Sequence, residues 1–507
     1  MLYNLLMKLV RAFLLPAVFL VVIAIFFYFR VTPIINQTFP YTYDQGRDFL
    51  KAESIVRDHD LTLLGPTTGI TGLYHGAWWY YFLSIPYILF NGAPQGFAIF
   101  IMITVFASSL LFSLFLKKTF HAIVGLTFFL LVAGSSYFIL LSTFAISSVF
   151  TFPFILMFLY SLYRFLETKK PLFSFLVFFS LANIFEAEVP TGLFTISAFI
   201  AAAILMRQAI SFFSPRKTFI YSLSGLIIPF LPRIASEVKN GLPQIKTLLA
   251  FIRNPQVSSA KSFINVLLER LQIFKFYFEN LFPINNPLLI YGLLIVAIIG
   301  LVFGFKKLNH VNRFFTLFVA LIVFFLFIFS CLYKNNFWAN YYEGLSFYFA
   351  VLLSIGFYLY LKFKNKFLKA IPLTVFVFFL LVNFYNLKND LTNKKPIPDT
   401  GLRGHVRVVD YLAGLNKDKD FCVRVYTPPV IPHTYNYVFS YYMKTGKTKN
   451  VGPSYVDNRC FYIIERDDYQ FRIDQFRKDH IPANARLINS RTITDNVEVE
   501  LWEMPSE

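Results

Sequence analysis

The run Leu14–Phe29, LLPAVFLVVIAIFFYF, and the charged block that follows it, Tyr43-Asp44-Gln45-Gly46-Arg47-Asp48, decide how this chain is read. The first approaches the roughly 20 apolar residues that cross a bilayer core. Lys8 and Arg11 precede it and no small-residue cleavage site follows, so it reads as an uncleaved span, not a removed signal. The second places Asp44, Arg47, Asp48 and Lys51 at i, i+3, i+4 and i+7, one face of a helix, with Phe49 and Ile55 falling elsewhere. Charges this close to a bilayer fit either a ligand site or an interfacial helix with its polar face in water.

Composition extends the first reading to most of the chain. Of 507 residues, 56% are apolar, 15% charged and 65 are Phe, which defines a polytopic α-helical membrane protein. Eleven spans are expected, near 12–30, 95–116, 120–141, 147–165, 171–186, 189–206, 217–234, 287–305, 314–333, 345–361 and 368–387. With a cytoplasmic N-terminus, the inner loops carry seventeen cations, from Lys8 to Lys369, against Glu167 alone, as the positive-inside rule demands. The segment 75–92, opening with Trp78, Trp79, Tyr80 and Tyr81, would reverse every later loop if counted as a span. It is therefore read as an interfacial helix in a long first outer loop, 31–94. A second outer loop, 235–286, holds an amphipathic stretch from Ile245 to Arg253.

Residues 1–387 thus form the membrane domain, and 388–507 differ in kind. The tail has 18 Lys and Arg against 16 Asp and Glu, so the net charge of +19 resides mainly in the inner loops and nucleic-acid binding is excluded as its explanation. Its pattern predicts helices near 402–415, 434–444 and 469–479 and strands near 420–426, 459–465, 486–492 and 496–502: a small extracytoplasmic α/β domain. Cys422 and Cys460 stand near the starts of two strands and would form a disulfide if those strands are neighbours. Cys331 reads as a buried filler. Phosphate loops, dinucleotide fingerprints and serine elbows are missing from the sequence, which removes support for an ATP-driven pump or a nucleotide-sugar enzyme.

Y-D-Q-G-R-D after the first span, Leu64-Gly65-Pro66, and G-L-Y-H-G-A-W-W-Y-Y from Gly72 to Tyr81 together resemble the first outer loop of the GT-C superfamily of membrane glycosyltransferases, nearest the branch of protein O-mannosyltransferases and lipid A aminoarabinose transferases. The family's acidic pair reads Asp44-Gln45 here, and Ala77 stands where the branch has proline. The resemblance implies transfer of a sugar from a polyprenyl-phosphate donor to a hydroxyl of a lipid, glycan or protein acceptor at the outer face of the plasma membrane. It makes Asp44 the general base, with inversion at the anomeric carbon.

Positive charge for the donor phosphate is sought at Arg47, His75 and Arg233. His75 also fits as a helix cap, and Arg233 as an interfacial anchor. Asp48, Glu186 and Glu188 are read as acceptor-orienting groups; by analogy with superfamily members that hold a divalent cation, Asp44, Asp48, Glu186 and Glu188 are its candidate ligands. Tyr341, Tyr342 and Glu343 border the expected lipid-carrier groove, or form an aromatic belt. The rival readings are a transporter or flippase, which calls for mid-span charges and internal repeats, and an inactive scaffold.

Overall fold

The computed structural model describes residues 15–253, 261–334, 337–393, 396–428 and 431–505; Lys8 and Arg11 lie outside them. Helix α1 (Leu15–Ile35) is followed by α2 (Tyr43–Arg57), a hairpin of β1 (Leu64–Thr67) and β2 (Tyr74–Gly76), and α3 (Trp78–Leu89). Then come α4 (Pro94–Thr119), α5 (Ala122–Gly134), α6 (Ser136–Leu141), α7 (Thr151–Thr168), α8 (Pro171–Ala187), α9 (Val189–Leu205), α10 (Ala209–Phe213), α11 (Arg216–Asn240), α12 (Pro243–Arg253), α13 (Phe263–Glu279), α14 (Pro287–Gly304), α15 (His310–Cys331), α16 (Leu345–Leu359) and α17 (Lys366–Thr392).

Among the described residues, eight helices are long and apolar enough to cross a membrane: α1, α4, α7, α11, α14, α15, α16 and α17. The three remaining expected spans are the shorter apolar helices α5, α8 and α9, of 13, 17 and 17 residues. Helix α3 has only 12 residues, about 18 Å, well short of the roughly 30 Å hydrocarbon core.

Polar side chains sit where helix ends need them. Asn286, Asn309 and Asn365 accept from the free N–H groups of Leu289, Asn312 and Phe367 at the starts of α14, α15 and α17. Two fully buried arginines serve orphan carbonyls. Arg30 donates to the carbonyls of Phe26, Val132 and Ala133 and to the Ser142 hydroxyl, and Arg270 donates to those of Ser330 and Tyr333 at the end of α15. Arg30 meets no acid, because its guanidinium fork matches convergent oxygens, whereas Arg270 also pairs with Glu269 at 3.2 Å.

The loops expected on one side touch one another. Lys169 donates to Gln208, Lys307 to the carbonyl of Lys362, and Asn312 links Thr119 with Tyr163. Helix α7 leads from this basic end, over about 27 Å, to the opposite end, where the candidate residues of the outer loops gather.

The tail forms α18 (Leu402–Leu415), β3 (Phe421–Tyr426), α19 (His433–Lys444), β4 (Val451–Gly452), β5 (Arg459–Glu465), α20 (Gln470–His480), β6 (Arg486–Thr494) and β7 (Val497–Glu503). The sheet order is β4-β3-β5-β7-β6, with β3 parallel to β4 and β5, and β7 antiparallel to β5 and β6. Strand β4, two residues long, was not expected. Because β3 and β5 are neighbours, Cys422 and Cys460 form the disulfide; Cys331 is buried and free.

The domain is anchored on α2 by α19. Tyr437 packs its ring on Phe49 and donates to the carbonyl of Gly92, Ser440 donates to Glu53 at 2.8 Å, and Lys444 to Tyr87 at 3.0 Å. Helix α2 is consequently not a solvated interfacial helix: Gln45, Asp48, Phe49 and Glu53 are all buried.

Candidate active site

The site starts at the first turn of α2. Gln45, standing where the GT-C branch has its second acid, is consumed by the backbone: its side-chain oxygen accepts from Thr42 N–H at 2.9 Å and its amide donates to the Pro40 carbonyl at 2.9 Å. This fixes the entry of the helix, and with it Asp44, whose side chain remains 57% exposed. Arg47 bridges the two acids, Nη1 to Asp44 Oδ1 at 2.9 Å and Nε to Asp48 Oδ1 at 2.8 Å. Trp79 completes the chain by donating Nε1–H to Asp48 Oδ2 at 2.7 Å. Lys51, expected on the same face, turns away to Asp60.

Burial pushes the Asp48 carboxyl up to about 6, against the opposing pull of Arg47 and of the Trp79 hydrogen bond. Trp79 thus serves Asp48, although the sequence showed it only as part of an aromatic belt.

Strand β2 brings the second cluster alongside. His75 is buried, with Nε2 4.0 Å from Glu188 Oε2. Burial, then the charges of Arg233 and Arg47, lower it to about 3, so the ring is neutral at physiological pH. It is neither a helix cap nor a cation; what it offers is a neutral imidazole whose Nδ1 has no hydrogen-bond partner among the described residues. Gly76 is required beside it, since a Cβ there would lie 2.1 Å from Glu186 Oε2.

Arg233 is not an interfacial anchor. Its side chain is largely buried, with Nε on Glu186 Oε1 at 2.7 Å and Nη1 on Gln244 Oε1 at 2.7 Å. Gln244 also accepts from the N–H of Tyr74, and Glu237 holds it in turn through its amide. Nη2 of Arg233 and Oε2 of Glu186 are buried without partners among the described residues. Three buried polar atoms without partners among the described residues therefore share this cluster. Beside it, between α11 and α12, an apolar cavity of about 410 Å³ lined by Phe185, Leu226, Phe230, Ile234 and Leu248 has Arg233 at its wall.

Glu188 and Glu343 form the third part. Burial, then the charges of Glu343 and Asp44, hold the Glu188 carboxyl well above its usual range. Burial raises Glu343 to about 7, although the Tyr137 hydroxyl donates to it. Tyr341 is buried, its carbonyl taken by Thr191. Tyr342 packs into the aromatic core with Phe274 and Tyr277 and bonds Ser330, so neither tyrosine forms an interfacial belt and only Tyr341 and Glu343 approach the carboxylate cluster.

Two of the four carboxylates named as cation ligands are already engaged by other side chains. Asp48 is held by Arg47 and Trp79, Glu186 by Arg233, and among the described residues no group of three His, Cys, Asp or Glu side chains could hold a metal ion.

Charged loops that meet at one end of a helical bundle, beneath a small α/β domain, define a multi-pass membrane protein with a polar site at a membrane surface. No protein-family model matches the chain, and no curated protein sequence does. Two solved structures of ArnT from Cupriavidus metallidurans are similar over nearly their whole length: the one bound to undecaprenyl phosphate at 9% identity and TM-score 0.55, the apo state at 8% and 0.56, each covering 96% of this chain and 97% of its own. The chain therefore has the GT-C fold of ArnT. Coverage this complete takes in the C-terminal domain.

The sequence also missed Gln244 and Tyr137, whose contacts with Arg233 and Glu343 join distant parts of the chain. The only advance signal was for Trp79, in the H-G-A-W-W string next to His75.

Proposed function

We propose that this protein is a glycosyltransferase that moves a sugar from a polyprenyl-phosphate donor to an acceptor hydroxyl at the outer face of the plasma membrane. The observation that carries the reading is an apolar cavity with Arg233 at its wall, while Arg233 and Arg47 both act on His75 and Arg47 pairs with the accessible carboxylate of Asp44. A lipid-linked donor needs both halves, grease for the chain and cations for the phosphate, and no nucleotide pocket. The undecaprenyl phosphate bound to one of the two similar ArnT structures supports the same class of donor.

In this reaction the acceptor oxygen attacks the anomeric carbon while its proton passes to the Asp44 carboxylate. The bond from that carbon to the phosphate oxygen breaks, and the polyprenyl phosphate leaves with the electron pair. Arg47 fixes the base and, with Arg233 and the neutral His75, holds the leaving phosphate. One carboxylate and no covalent nucleophile imply inversion.

The deciding experiment offers the purified protein a panel of short-chain polyprenyl-phosphate sugars with host membrane extract as acceptor. Release of polyprenyl phosphate coupled to glycosylation supports the reading. Movement of the lipid-linked sugar across vesicles without release would replace it with the transporter.

A further inference from the structure

The C-terminal domain comes into contact with the catalytic turn itself. Helix α19 begins at His433, whose ring lies 4.8 Å from that of Tyr43, the residue before Asp44. The approach is as close as backbones allow: a Cβ on Gly46 would lie 2.5 Å from the His433 carbonyl carbon and from Thr434 N. Tyr41 ties down the same turn by donating to the Thr434 carbonyl at 3.1 Å. Thus the first turns of α2 and α19, nearly 400 residues apart in sequence, share one seam, and the Gly in Y-D-Q-G-R-D is what permits it.

His433 is half-buried and feels both members of the Asp44–Arg47 pair. Burial and then Arg47 lower its affinity for a proton, whereas Asp44 raises it. Its Nδ1 is sealed without a hydrogen-bond partner among the described residues, which favours the tautomer that keeps its proton on Nε2. Such a ring presents a neutral donor against Tyr43, within electrostatic reach of the exposed Asp44 carboxylate.

We propose that the C-terminal domain completes the active site, with His433 binding the acceptor hydroxyl group or its neighbour across from Asp44. The inference deepens the glycosyltransferase reading and rests on it. The acceptor is then recognised between two domains: the membrane domain supplies the base and the donor, and the α/β domain supplies selectivity for the hydroxyl-bearing partner.

Two measurements on the full-length protein test this. In ¹³C-histidine-labelled protein, with His433→Gln assigning the signal, His433 should titrate below the ordinary histidine range, and Asp44→Asn should move it lower still, since a neighbouring negative charge is lost. An unmoved midpoint would show that the two residues are not coupled and overturn the proposal, whether or not any sugar is transferred. In the transfer assay, with vesicles of phosphatidylethanolamine and phosphatidylglycerol carrying host glycolipid extract, His433→Ala should raise the acceptor KM about tenfold. Donor KM should stay unchanged, and His433→Gln should recover part of the loss. Ser440→Ala, which loosens the same helix seam away from the site, should not reproduce that pattern; if it does, His433 acts only through docking and the proposal fails.

Discussion

Arg233 and Glu186, 47 positions apart in the chain, meet at 2.7 Å through Nε and Oε1, and each keeps a second buried polar atom without a partner among the described residues. A pair formed for stability alone would saturate both groups. Arg233→Ala is therefore expected to cost more in donor affinity than a lost surface anchor: at least about tenfold for a short-chain polyprenyl-phosphate sugar, with partial recovery in Arg233→Lys. Stability should fall too, because Glu186 is left buried and unpaired, by about 3–5 kcal/mol. Binding measured in detergent alongside thermal unfolding separates the two effects, and Glu186→Gln with Arg233 intact should lose stability but retain most binding.

Asp44→Asn keeps the shape at the start of α2 and removes the base. Sugar transfer should drop by two to four orders of magnitude, roughly the range for loss of a general base, while donor binding survives. Wild-type turnover in this variant would move the base elsewhere, with Glu188 the first alternative to test.

On the proposed reading, Asp48 competes with the donor phosphate for Arg47. Its carboxyl titrates at about 6, so protonation below that value releases Arg47 Nε. Affinity for a phosphodiester donor, which does not itself titrate in this range, should increase several-fold as the pH falls through about 6. Asp48→Asn should bind tightly at every pH and lose the dependence, since its side-chain oxygen can still accept from Trp79. A dependence that persists in the variant would exclude Asp48 as its origin.

Glu343 links pH to stability. Its folded value, about 7, lies above the ordinary 4.5, so the folded state binds the proton more tightly than the unfolded chain does. The contribution is fully present below about 4.5 and is lost as pH rises through about 7. Melting temperature in detergent should therefore decline across that window, and the decline should be shallower in Glu343→Gln, which can still accept from Tyr137. An identical slope in the variant would assign the effect to Glu188 or Asp48.

The contact between the basic loops predicts one topology for all of them. Reporters at Lys118, Lys169, Lys307 and Lys366 should be cytoplasmic, and those at Asp44 and Asn450 external; residue 260, expected outside as well, lies beyond the described residues. Asn450 on the cytoplasmic side would reverse the orientation of the entire bundle.

Hydropathy and charge were enough for the helical membrane class, for most membrane helix positions and for the α/β pattern of the tail, because each follows from local periodicity and from the cost of burying unpaired backbone or charge in lipid; the helix α13 and the break between α5 and α6 were not foreseen. The i, i+3, i+4 spacing of Asp44, Arg47 and Asp48 likewise foretold their common face, since neighbours on a helix need no distant partner. Other facts had to wait for tertiary structure. Lys51 leaves that face because Asp60 returns to meet it; Arg233 is held between Glu186 and Gln244 because α12 folds back to present Gln244; His433 packs on Tyr43, the residue before Asp44, because Gly46 lets two backbones touch. Burial and long-range proximity fix those partnerships and the shifted protonation of Asp48, His75 and Glu343, and neither quantity is encoded in the spacing of residues along the chain.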